Sequence, residues 1–296
     1  MQVALLHNSG KGELRMATNS SIPKKLKRAT VNAILKHAKE GYPGEICGVV
    51  IITEEKGEEV YVRCENIAAD KTKDFKLGPA SFADADDLGE IVGIVHSHPD
   101  STTTPSSYDL AVMSANREIE LQITPESNAI PWHIVSWPEG DYRQIVPEKR
   151  EELLGRPFVH GFWDCWQVCS DYYSKYHGLK FERFQREDLW WENKEGPSLY
   201  EDSYEKAGFE LVTVPRPGDM IVMQIGKSYH PNHAGIYLGN TQEFEGRGLH
   251  GGPFLLHHMY GKNSEIIVYG GQWSQRTRMI LRHKDIKGTP EGVQNV

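Results

Sequence analysis

The residues best placed to do chemistry are His96, His98 and Asp109. An apolar run, residues 91–95, reads as a buried strand and leads straight into His96, Ser97, His98 and Pro99. Residues two apart in a strand point to one side, so the two imidazoles can converge. Asp109 falls in the first turn of a predicted helix, because Ser106 is a suitable N-cap and Leu110, Ala111, Val112 and Met113 follow. Two imidazoles and a carboxylate make a borderline-soft, three-ligand set with one position open. That set suits a catalytic zinc ion and an activated water. A plainer account exists, since His-x-His arises by chance and Ser-x-x-Asp is a helix-start pattern. The spacing of all the parts together favours the metal.

A second set lies in the other half. Asp164 is a good N-cap for a helix running from Cys165 to Tyr176, with Gly178 as its stop. A thiol at a helix N-terminus feels the positive end of the dipole, which predicts a thiolate. Cys169 lies one turn on and shares a face with Tyr172 and Tyr176, so it reads as core. A metal site built from both cysteines and nearby histidines is the lesser alternative. A nucleophilic thiolate needs a base. Pro217, Gly218 and Asp219 turn into an apolar run, His233 opens the strand-like run 233–239, and His257 and His258 close the run 254–258. His230 is predicted to sit in a loop. Trp190, Trp191 and Trp273 either line a groove or are buried, as such rings usually are.

The elements that must position these residues follow from size and pattern. At 296 residues the chain suits two domains. Hydrophobic content of 39% and charged content of 25% describe a soluble globular protein, and a net charge of −8 argues against nucleic acid as a partner. No apolar run nears the roughly 20 residues of a membrane span. The N-terminal stretch lacks a signal-peptide pattern, so the chain is expected in a cytoplasm unless a larger particle carries it out. Cys47, Cys64, Cys165 and Cys169 are too few for a disulfide scaffold, and the first two read as core. A helix is predicted over 23–40, a hairpin from 46–53 and 60–64, a short helix over 81–88, then the metal strand, the Ser106 helix, and closing strands over 119–124 and 132–137. This is a mixed α/β (α+β) arrangement, helices on a largely β core. Turn residues at 138–141 and a charge run at 147–152 mark the boundary. The expected division is an arm over 1–21, a first domain over 22–146, a second over 147–285, and a flexible tail over 286–296.

The first half resembles the JAMM (MPN-type) zinc metallopeptidases, whose pattern Glu…His-x-His-Pro…Ser-x-x-Asp is matched by Glu45, His96, His98, Pro99, Ser106 and Asp109. The resemblance implies a cytidine-deaminase-like layered domain holding one Zn2+ per chain through His96, His98 and Asp109. It makes Glu45 the general base and has Ser106 steady the oxyanion. The second half resembles the NlpC-type branch of the papain-like cysteine peptidases, which cleave peptidoglycan stem peptides. That likeness implies a nucleophile at Cys165, a base at His233 and an orienting residue at His257, with adjacent His258 as the alternative; strand alternation modestly favours His257. Trp166 and Gln167 stand where small residues are usual, which leaves substrate preference open. The fusion in this order, with the lead-in LLGRPFVHG, is similar to the tail-tip assembly proteins of lambda-like phages. It implies other phage tail-tip proteins and peptidoglycan peptides as partners, in the host cytoplasm during assembly or at the virion tail tip. Two alternatives remain: a structural tail protein using inactive hydrolase folds as docking modules, and a cellular isopeptidase acting on ubiquitin-like tails. The second catalytic set argues against the latter.

Overall fold

A computed structural model describes residues 25–123, 127–182 and 186–286. The predicted arm over 1–21 and nearly all of the predicted tail lie outside the described residues. The chain forms two compact units, Met1–Lys149 and Arg150–Val296, divided inside the charged run. Among the described residues no helix is long and apolar enough to cross a membrane.

In the first unit the order is α1 (Arg28–Gly41), β1 (Cys47–Thr53), β2 (Glu59–Cys64), α2 (Pro79–Leu88), β3 (Gly89–Pro99), α3 (Ser107–Ile123), β4 (Trp132–Trp137) and β5 (Tyr142–Ile145). The strands form one sheet in the order β2-β1-β3-β4-β5. Every neighbouring pair is antiparallel except β3 with β4. A parallel pair needs a long crossover, and α3 supplies it. The apolar face of α1, with Ile34 and Ala38 fully covered, packs on Val50, Val92, Val95 and Val135 of the sheet. β3 is therefore central and buried along most of its length.

Two expectations here are corrected. The strand predicted over 119–124 is the last part of α3; Thr124 lies outside the described residues. Alternation of Ile119, Leu121 and their polar neighbours mimics a strand, but Val112, Ala115, Asn116 and Glu120 share a buried helical face. Arg117 steadies that face by donating to Glu120 three residues on, at 3.0 Å, and to the Ser127 carbonyl at 2.6 Å. Turn residues 138–141 do not belong to the boundary either. They close a hairpin from β4 into β5, a strand the sequence reading omits, with the Gly140 amide donating to the Ser136 carbonyl at 3.1 Å.

The second unit contains α4 (Cys165–His177), β6 (Phe209–Leu211), β7 (Met220–Met223), β8 (His233–Gly239), β9 (Glu243–Phe244), β10 (Arg247–Gly248), β11 (Phe254–His257), β12 (Glu265–Val268), α5 (Gln272–Arg276) and β13 (Thr277–His283). Six strands form an antiparallel sheet in the order β12-β11-β8-β7-β13-β6. α4 packs against β8. Cys169, Tyr172 and Tyr173 from the helix meet Met220, Val222, Ala234, Ile236 and Leu256 from the sheet in one core. Gly178 ends α4 in the left-handed conformation (φ 67°), where glycine carries no Cβ penalty.

The irregular lead-in over 150–156 is fastened to this unit. Glu245 accepts from the backbone amides of Leu153 and Leu154 at 2.8 and 3.1 Å and from Lys175 Nζ at 2.6 Å. Arg156, only 2% exposed, pairs with Asp171 and donates to the carbonyls of Glu152 and Arg150. Its own amide donates to Ser264 Oγ at 2.9 Å.

Candidate functional site

In the first unit, β3 and the start of α3 bring the predicted metal set together. His96 Nε2 and His98 Nε2 lie 3.1 Å apart, His96 Nε2 is 3.3 Å from Asp109 Oδ1, and His98 Nε2 is 3.3 Å from Asp109 Oδ2. Donors held 2.0–2.1 Å from a zinc ion in a tetrahedral shell stand ~3.3 Å from one another. The two ring nitrogens and the carboxylate, whose two oxygens each approach one ring, are spaced closely enough to share one ion. His98 Nδ1 donates to the Thr102 carbonyl at 2.8 Å, which leaves its Nε2 lone pair free to face inward. His96 is fixed by stacking on Phe75, with ring centroids 4.3 Å apart, and by the edge of Trp132.

Asp109 is held by a reciprocal cap. Its amide donates to Ser106 Oγ at 3.0 Å, while Ser106 donates through both its amide and its hydroxyl to Asp109 Oδ2 at 2.7 Å. The helix-start pattern and the metal pattern are thus one structure. Burial alone would raise the Asp109 pKa, but the neighbouring His96 and His98 rings and the Ser106 hydroxyl drive it well below the usual carboxylate range. Burial lowers the His96 pKa. For His98 burial acts downward, but Asp109 and the Thr102 carbonyl outweigh it and the pKa is raised.

Glu45 reaches the site through strand register. Cys47 of β1 pairs with His96 of β3, and Ser97 and Ile46 exchange contacts beyond it: the Ser97 amide to the Ile46 carbonyl at 3.1 Å, and the Ile46 amide to Ser97 Oγ at 2.9 Å. Continuing that register sets Glu45 opposite His98. Burial pushes its carboxyl up to about 8, with His98 pulling down and Asp109 pushing up. Asn66, which sequence reasoning missed, staples the surroundings. Its Nδ2 donates to the carbonyls of Glu45 and Asp74 at 2.8 and 3.1 Å, and its Oδ1 accepts from the amides of Ala68 and Lys76.

In the second unit Cys165 opens α4, whose N-cap Asp164 accepts from the Gln167 amide at 3.0 Å. Asp164 is buried and paired with Arg186, whose Nε donates to it at 3.1 Å. The Cys165 sulfur lies 3.5 Å from Tyr200 Oη and 4.0 Å from the Asn232 carbonyl, and the Ala234 backbone also bonds to it. The residues on both sides of His233 therefore grip the sulfur. Cys165 and His233 line one cavity of about 720 Å³, with Trp190, Trp191, Tyr200 and Tyr260 on its walls. That volume is ordinary for a ligand site.

His233 Nε2 meets His257 Nδ1 at 2.9 Å. His258 points elsewhere: its Nε2 donates to the Lys262 carbonyl at 3.1 Å, and its ring meets Phe158 edge-on. Geometry thus joins His257, not His258, to His233. His230 donates to the Asn193 carbonyl, and Trp273 packs edge-on to His257. Cys169 is fully buried in the core.

The thiolate expected from the helix dipole is not what the surroundings produce. Burial and then the Asp164 charge push the Cys165 thiol up, against smaller contrary effects of Tyr200, the Ala234 backbone and Arg186. Burial, then His257 and His258, hold His233 well below the usual imidazole range. Cys165 as a residue is half-buried and lines the cavity. Tyr200 was missed in sequence because it lies in irregular chain with no motif around it.

Comparison with known proteins agrees with both halves. Residues 27–140 match the family of prokaryotic homologs of the JAB domain, and residues 155–282 match the NlpC/P60 family. The chain is 40% identical over 264 residues to tail tip assembly protein K of Escherichia phage N15, covering 89% of this chain and 98% of that protein. It is 32% identical over 210 residues to tail tip assembly protein K of Escherichia phage lambda, covering 70% and 89% respectively. With a JAB-type domain followed by an NlpC/P60 domain, and similarity along nearly the full length of such relatives, the chain belongs to the tail tip assembly protein K family.

Proposed function

We propose that this chain is a bifunctional peptidase of a phage tail tip, zinc-dependent in its first unit and cysteine-dependent in its second. The observation that carries the reading is the convergence of both donor sets: three metal-type ligand atoms within 4.8 Å of one another, and a thiol that lines one cavity with a histidine that is itself paired with a second histidine.

In the first unit His96, His98 and Asp109 would hold one zinc ion per chain, which would lower the pKa of a water towards ~7 and polarise a peptide carbonyl. Glu45 in its ionised form takes a proton from the attacking water and passes it to the leaving amine; burial raises the proton affinity of that carboxylate. Ser106 holds Asp109 in place, and its hydroxyl steadies the oxyanion by turning away from the Asp109 carboxylate. In the second unit His233 removes the Cys165 proton, and the sulfur attacks an amide carbonyl of a peptidoglycan stem peptide. His233 then protonates the departing amine, and water hydrolyses the thioester. His257 orients the His233 ring.

The chain acts with other tail-tip proteins during assembly in the host and opens the cell wall from the tail tip. A second reading has one observation behind it: both relatives are named for assembly, not for proteolysis. In that reading the hydrolase folds are docking modules. A zymogram on purified cell wall, run with chelator and with thiol blocker, separates the two. The thiol blocker and Cys165→Ala are expected to abolish clearing, and Cys169→Ala to retain it. Metal analysis is expected to find one zinc per chain, lost in His96→Ala. Wild-type protein with neither zinc nor clearing activity would leave only docking.

A further inference from the structure

The contact between His233 Nε2 and His257 Nδ1 carries one proton, and either ring can supply it. If His257 bears its proton on Nδ1, it donates to His233 Nε2, and His233 must carry its own proton on Nδ1. That nitrogen then has no lone pair for the thiol. If His257 bears its proton on Nε2, then His233 donates from Nε2 and keeps a bare Nδ1. The imidazolium formed after proton transfer makes the same demand, because it donates from both nitrogens. Catalysis by this pair therefore requires an acceptor at His257 Nε2.

We propose that Glu265 is the positioning residue that provides this acceptor and so selects the productive tautomer of both rings. The proposal rests on the cysteine-peptidase reading of the second unit. Glu265 of β12 stands directly opposite His257 in the antiparallel register, so their side chains share a face. Glu265 Oε1 lies 3.7 Å from His257 Nε2. That nitrogen is buried and has no hydrogen-bond partner among the described residues. Bringing the carboxylate to hydrogen-bond length takes a shift of less than about 1 Å, at the tip of a side chain that is 45% exposed on an edge strand. The other groups facing His257 are His233, the edge of Trp273, and the charges of His258 and Lys262. Trp273, His258 and Lys262 offer no carboxylate to receive the Nε2 proton. Burial, with His258 and Lys262, lowers the His257 pKa to about 4, so at neutral pH the ring has one proton to place.

The test is ¹⁵N NMR of the histidine side chains in the whole chain, paired with hydrolysis of a stem peptide by wild type, Glu265→Ala and Glu265→Asp. Wild type is expected to carry the His257 proton on Nε2. Glu265→Ala moves it at least partly to Nδ1 and lowers kcat about ten-fold with KM unchanged, and Glu265→Asp recovers part of both. An unchanged tautomer in Glu265→Ala overturns the proposal, as does a changed tautomer with unchanged kcat. Wild-type protein that leaves the stem peptide intact, with the tautomer still responding to Glu265→Ala, keeps the relay and removes the assigned substrate.

Discussion

At the scale of single residues, the two centres solve opposite electrostatic problems. His96, His98 and Asp109 gather lone pairs and negative charge at one point, which a cation relieves. Around Cys165 and His233, burial suppresses charge on both partners. A raised thiol pKa and a lowered imidazole pKa both favour the neutral pair at pH 7 over a preformed thiolate and imidazolium. The sign is testable: the rate of Cys165 alkylation by iodoacetamide should climb steadily from pH 6 to pH 9. A rate already level across pH 5 to 8 would show the ion pair and refute this account. His96 and His98 were legible from their spacing alone, since alternation along a strand fixes where they point. Glu45 was not; its place depends on the pairing of two strands about fifty residues apart, and only the family likeness signalled it.

At the scale of elements, the start of α3 does two jobs with one set of atoms. Replacing Ser106 by Ala removes the cap and is expected to cost about 1 kcal/mol of stability. It also frees Asp109, so zinc affinity in a competition titration should fall by about ten-fold. Ser106→Thr, which keeps the hydroxyl, should restore both; unchanged zinc affinity in Ser106→Ala would show that Asp109 holds its position without the cap. Capping residues marked this helix's beginning in the sequence, but not its length. Arg117 and Glu120 look like surface charges until the helix brings them together with Ser127, and the alternating stretch after them imitates a strand. Periodicity over five residues cannot decide between the two; burial of a helical face over ten residues can.

At the scale of the whole molecule, each unit owns its core and its centre. A metal that binds only the native first unit stabilises that unit by linkage. Chelation is therefore expected to lower the melting temperature of residues 1–149 expressed alone and to leave that of residues 150–296 unaltered. An equal drop in both fragments would place the metal dependence elsewhere. Two units were legible from length and from the two motif sets. Their border was less so, because the turn at 138–141 has the same composition as a linker although it closes a hairpin.

The fastening of residues 150–156 by Glu245, Asp171 and Ser264 sets a rule for anyone swapping halves between related tails. A splice upstream of Arg150 transfers the lead-in together with the groups that clasp it. A splice after Arg156 separates clasp from cargo, leaving Asp171 in the transplanted piece without Arg156 and Glu245 without the Leu153 and Leu154 amides. Chimeras joined at the first point should be soluble and intact, and those joined at the second should be lost to the host's proteases.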